Sequence, residues 1–132
     1  QAIRKLYQSR MIDCRDNRDG TTTLTLAARG ETRILQHKLD DIRIKKAARW
    51  DGMWRIIIFD IPENQKRARD ALSLKLKHIG MMPLQKSVFV SPYECRDEID
   101  FISEVFLIKP YVRYVLAKDI DVAPDLKRRF RL

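Results

Sequence analysis

Trp54-Arg55-Ile56-Ile57-Ile58-Phe59-Asp60-Ile61-Pro62 is the stretch on which the reading of this chain turns. An unbroken run of β-branched and aromatic residues closed by a proline spells a buried strand. Alternation sets Trp54, Ile56 and Ile58 on one side and Ile57, Phe59 and Ile61 on the other, so both faces of the sheet that holds it need a cover. The strand ends in a carboxylate, and burying an unpaired charge among apolar side chains costs several kcal/mol. Three roles suit Asp60. It caps the following turn or helix together with Glu63 and Asn64, it binds a metal, or it takes part in catalysis.

Outward from that strand the pattern is regular. Met53 to Asp60 is strand one, and a helix follows Pro62 from about Asn64 to His78, with Ala68, Leu72, Leu76 and Ile79 at helical spacing and Gly80 as its stop. Met82 to Leu84 and Lys86 to Ser91 read as strands two and three. Glu94 to Phe106 is a second helix, with Ile99, Ile102, Val105 and Phe106 inward and Asp97, Glu98, Asp100 and Glu104 outward. Tyr111 to Lys118 is strand four. The order βαββαβ predicts an α+β, ferredoxin-like domain, an antiparallel sheet with both helices on one face. A second copy of the chain or the amino-terminal segment is then expected to cover the other face.

Residues 1–45 form a separate piece: a helix with Ile3, Leu6 and Tyr7 on one stripe, strands over Met11 to Arg15 and Thr21 to Ala27 around the turn Asp16-Asn17-Arg18-Asp19-Gly20, a helix from Glu31 to Leu39, and a short strand carrying Ile42 and Ile44. A basic linker, 46–52, leads to the larger unit, 53–132, which ends in the basic tail Lys127-Arg128-Arg129-Phe130-Arg131-Leu132. In that tail Leu126, Phe130 and Leu132 interleave with cations, a pattern for one side that packs and one that meets phosphate, or for a solvated tail.

Lys and Arg number 27 against 18 Asp and Glu, a formal charge of +9. The excess is spread over both pieces, with 12 against 7 in residues 1–52 and 15 against 11 beyond. Such a balance favours a polyanionic partner, nucleic acid before an anionic membrane. No long apolar run, lipidation motif or secretory leader is written in the sequence, so a cytoplasmic protein off the membrane is expected. Cys14 and Cys95 lack metal or redox spacing and read as free thiols. His78 sits at a helix end, where an imidazole eases the negative end of the dipole, and His37 on a helix flank. Trp50 and Trp54 either stack on bases or anchor the linker to the sheet. Glycine-rich phosphate loops, a Ser/His/Asp set and a Cys/His pair are absent from the sequence, which argues against nucleotide hydrolysis and covalent catalysis.

Trp50-Asp51-Gly52-Met53-Trp54-Arg55, Phe59-Asp60-Ile61-Pro62-Glu63, Arg67 to Asp70 and Leu84-Gln85-Lys86-Ser87-Val88-Phe89-Val90-Ser91-Pro92-Tyr93 together resemble the central domain of PaaX-type transcriptional repressors. That domain is similar to the CRISPR-associated endonuclease Cas2. The helix and basic-tipped hairpin before it resemble the second half of a winged helix, in which the helix enters the major groove and the wing touches backbone. The resemblance implies that Asp60 pairs with its twin across a dimer and holds Mg²⁺ or Mn²⁺, with Ser87 or Ser91 as polar support. It also implies that Gln85, Ser87, Val88 and Phe89 lie in the third strand. Pro62 and the Trp50-Asp51-Gly52 entry belong to the regulator branch and not to the nuclease pattern.

The sequence therefore predicts a homodimeric, PaaX-like regulator that binds double-stranded DNA through Arg4, Lys5, Arg18, Lys127, Arg128, Arg129 and Arg131. The alternative is a Cas2-type metal-dependent endonuclease or spacer-acquisition subunit, with Asp60 catalytic and metal-binding and the CRISPR integrase as partner. A third reading is a dimerisation scaffold.

Overall fold

A computed structural model describes residues 12–16, 22–26 and 30–132, with side chains from Leu35 onward. The expected first helix and the hairpin tip, and with them Arg4, Lys5 and Arg18, lie outside the described residues. The strands of the hairpin are present as β1, Ile12–Asp16, and β2, Thr22–Leu26, paired antiparallel with Ile12 opposite Leu26. Helix α1 follows at Gly30–Asp41.

The larger unit runs β3 (Trp54–Phe59), a short 3-10 turn at Glu63–Gln65, α2 (Lys66–His78), β4 (Met82–Gln85), β5 (Val88–Ser91), α3 (Arg96–Val105), β6 (Val112–Ala117) and α4 (Ala123–Phe130). Its sheet has the order β4-β5-β3-β6, antiparallel throughout. In a βαββαβ unit this is second, third, first, fourth, and the fold is ferredoxin-like α+β as the sequence predicts.

Several boundaries differ from expectation for local reasons. The helix after Pro62 starts as a 3-10 turn, with α proper from Lys66. Gln85 closes β4 and does not lie in the third strand, because Lys86 and Ser87 form the turn and β5 begins at Val88. The expected strand at Ile42 and Ile44 does not form. The Ile44 amide donates instead to the Ile79 carbonyl at the end of α2 (3.1 Å). The basic tail is the helix α4, whose apolar residues Ala123, Leu126 and Phe130 recur at helical spacing.

Helix ends show why the chain turns where it does. Gly80 takes φ +113 after α2, and the Met81 amide reaches back to the Leu76 carbonyl (3.0 Å), so two residues reverse the chain and satisfy the helix end. After α3 the same job falls to Leu107 at φ 53, with the Ile108 amide on the Ser103 carbonyl (2.9 Å). A leucine there is strained by about 1 kcal/mol.

The two faces of the sheet carry separate cores. Ile57, Phe59 and Phe89 pack beneath α2 and α3 in one cluster with Leu72, Leu76, Ile99, Ile102 and Val105, joined from the amino-terminal side by Leu39, Ile42 and Ile44. Trp54 and Val90 pack on the opposite face under Ala123 and Leu126 of α4, flanked by Trp50, Ile56, Met82, Leu84 and Phe130. The second face is thus covered by the chain's own carboxyl-terminal helix and not by the amino-terminal segment, which joins the helix layer, where β2 lies along α2.

Candidate nucleic-acid interface and the Asp60 corner

Along the second face one row of β3 residues records how far α4 reaches. Trp54 is 1% exposed, Ile56 half-buried, and Ile58 42% exposed. Across the strands Ile58 sits between Val88 of β5 and Arg113 of β6, and Ile56 between Val90 and Val115. The uncovered end therefore presents Ile58 and Val115 in one patch, with Arg113 at its rim. Asp60 continues the ladder, its amide donating to the Tyr111 carbonyl (3.0 Å), so strand alternation places it on the row of Ile58, at the open corner.

Asp60 is exposed, which removes the burial cost that its place after an apolar strand suggests. It is not a helix cap. The 3-10 turn begins after Pro62 with no side-chain cap, and α2 begins after Gln65 likewise. Among the described residues no group of three or more His, Cys, Asp or Glu side chains that could hold a metal ion is found. Ser87 is beside the corner, its carbonyl accepting from the Phe59 amide (3.1 Å). Ser91 is not. It pairs with Arg55 near the other end of β3, and its hydroxyl is engaged with the Tyr93 backbone (3.0 and 3.1 Å).

The expected cations of the carboxyl-terminal tail lie on and just after α4. Leu126 of α4 is buried while Lys127, Arg128, Arg129 and Arg131 are exposed. Arg128 is paired to Asp125 at 2.6 Å and Arg129 more loosely at 3.9 Å. The Lys127 ammonium lies 5.7 Å from the centroid of the Trp50 ring. Trp50 meets Trp54 at 4.8 Å between centroids, and its indole N–H donates to the Met53 carbonyl (2.9 Å). The tryptophans thus anchor the linker to the sheet, and Trp54 is too buried to stack on a base.

The linker is further fixed by an ion pair that sequence reading missed. The Arg55 guanidinium, 7% exposed, donates to both Asp51 oxygens (2.9 and 2.6 Å) and to the Pro92 carbonyl (2.8 Å). The hydrogen bonds from Arg55, with one from the Met53 amide, hold the Asp51 carboxyl below its ordinary pKa. The spacing of Asp51 and Arg55 was visible, but only the sheet puts the Pro92 carbonyl beside them.

Two further groups are structural. His78 is 2.9 Å from Arg43 through Nε2, and a guanidinium only donates, so the imidazole accepts as a neutral ring. Burial first, then Arg43 and Lys75, lowers its pKa, and the ring stands in the last turn of α2, where the sequence places it. The Cys95 thiol is pushed up to about 11 by burial, which makes it inert.

An α+β sheet domain with two helices on one face, a basic helix on the other and an open apolar corner defines the class. The chain matches the PaaX protein central Cas2-like domain family over residues 47–128 and belongs to it. A search of curated proteins finds no match. Among the described residues no helix is long and apolar enough to cross a membrane.

Proposed function

We propose that this protein is a PaaX-like, DNA-binding transcription regulator that acts as a homodimer. The observation that carries the reading is α4. Its apolar side is fixed on the sheet, so Lys127, Arg128, Arg129 and Arg131 stand on a rigid support and meet phosphate at little further entropic cost. The hairpin and α1, with Arg4, Lys5 and Arg18 in the segments beside them, supply a separate winged-helix contact on the helix-layer side of the sheet. The open patch of Ile58 and Val115 is where a second copy docks.

Replacing Lys127, Arg128 and Arg129 of α4 and Arg131 just after it by alanine tests the reading in a salt titration of duplex binding. Each lost phosphate contact should lower the log–log slope by roughly 0.9, and a slope equal to that of the wild type would take α4 out of the interface.

The endonuclease alternative rests on Asp60. A homodimer joined through the Ile58 patch brings two Asp60 carboxylates to one edge, a pair suited to Mg²⁺ or Mn²⁺. Nucleic-acid cleavage that requires divalent ions and disappears in Asp60→Asn would promote this alternative. Unchanged nucleic acid with either ion would retire it, and with it the integrase partnership.

A further inference from the structure

On the helix-layer side of the sheet, at its β4 edge, an open groove of about 490 Å³ runs between α2 and the β4–β5 hairpin, lined by Ser73, Lys77, Pro83, Leu84, Gln85, Lys86 and Phe89. Its walls are chemically matched. Ser73 and Lys77 stand one turn apart on α2, and Lys86 is at the hairpin turn opposite, beside the Gln85 amide. Phe89, Pro83 and Leu84 supply the apolar part of the lining.

Charge pairing separates these two lysines from many other cations. Arg55, Arg69, Lys109 and Arg128 each sit on a carboxylate. Lys77 and Lys86 have no carboxylate partner among the described residues. Asp70, one turn before Ser73, is taken by Arg69 Nε at 3.5 Å. Two uncompensated ammonium groups on opposite walls of one groove repel each other, and an anion between them relieves that repulsion.

Shape decides the kind of anion. A small ligand binds tightly where most of its surface is buried, and this groove is open to solvent. An open, cation-walled channel suits a chain that enters at one end and leaves at the other. We propose that the groove seats the phosphodiester backbone of nucleic acid, with Lys77 and Lys86 on phosphate and the Ser73 hydroxyl and Gln85 amide as neutral donors. This rests on the nucleic-acid reading above and adds a further contact surface to it, at the β4 edge of the sheet.

The test uses the full chain, a labelled duplex and a salt titration of its affinity. Lys77→Ala/Lys86→Ala should reduce the log–log slope by nearly 2, at roughly 0.9 per contact, and weaken binding at least about tenfold at 0.1 M salt. The pair Lys109→Ala/Lys118→Ala makes the same change in charge beside β6, the opposite edge, and should shift affinity less than about twofold. Ser73→Ala should weaken binding a few-fold with the slope unchanged, since it removes a donor and no charge.

Equal losses in the two lysine pairs would reduce the effect to net charge and overturn the proposal. So would a wild-type slope in the groove pair while the α4 variant still loses affinity, a result that leaves the regulator reading standing. Inorganic pyrophosphate binding that depends on Lys77 and Lys86, with duplex binding unaltered, would make the groove a small-anion site and overturn it too. A wild-type chain with no salt-sensitive duplex binding would remove the nucleic-acid reading and this inference together.

Discussion

The two faces of one sheet differ in how much of the chain they hold. Among the described residues the buried cluster beneath α2 and α3 numbers 16, and that on the opposite face, under α4, numbers 4. The same strand, β3, feeds both, with Trp54, Ile56 and Ile58 on one side and Ile57 and Phe59, in line with the ion-paired Arg55, on the other. Burial is therefore not a property of the strand but of what the rest of the chain can bring to it. Two helices of 13 and 10 residues close the first face, whereas the 8 residues of α4 reach only halfway along the second. The unclosed remainder, around Ile58 and Val115, leaves apolar surface available to a partner.

The contrast can be broken by core truncation, where the effect is largest. Ile102→Ala on the first face should cost about 4 kcal/mol, because a close-packed site surrounded by fixed elements cannot collapse onto the cavity. Leu126→Ala should cost nearer 2 kcal/mol, since a short surface helix can shift or fray. Urea denaturation compares them, and intrinsic fluorescence adds a second readout, because both tryptophans of the chain lie against α4. Equal costs would mean that the second cluster is as rigid as the first.

A smaller effect is expected where the linker joins the sheet. Asp51→Asn should cost about 1–2 kcal/mol near neutral pH, leaving Arg55 buried with only carbonyl partners. The sign with pH follows from the direction of the shift. The carboxyl is depressed in the folded chain, so its contribution is present above the unfolded value near 3.8 and is lost as pH falls through the lower folded value. Wild type and variant should thus converge in stability in acid, and a difference that persists there would place the cost in packing instead of charge.

The smallest change in stability should come from Ile58→Asp, within about 1 kcal/mol for the isolated chain, because the side chain is already exposed over 42% of its surface. Its effect belongs to association. Sedimentation of the wild type at micromolar concentration should show a dimer and the variant a monomer. A variant that stays dimeric would move the interface off the open corner, and a variant that unfolds would show the face to be closed after all.

Much of this was legible in the sequence. The period-2 run from Trp54, the helical spacing of Leu72, Leu76, Ile99 and Ile102, and the stop at Gly80 each follow from local stereochemistry, and together they spell the βαββαβ order and its family. The interleaving of Leu126 and Phe130 with cations showed a side that packs. What it packs against was not written locally, because α4 and Trp54 are some seventy residues apart and only the sheet order brings them together. Asp60 shows the same limit from the other side. Its neighbours in sequence are apolar and imply burial, yet its environment depends on α4 stopping short, a matter of length and crossing geometry in a distant element. The paired walls of the Lys77–Lys86 groove join a helix to a hairpin turn. The sequence by itself determined which residues form each element and which side of each is apolar, since those depend on neighbours a few bonds away. Only the tertiary structure decided which face was left open and which charges were left unpaired, because both depend on contacts between residues remote along the chain.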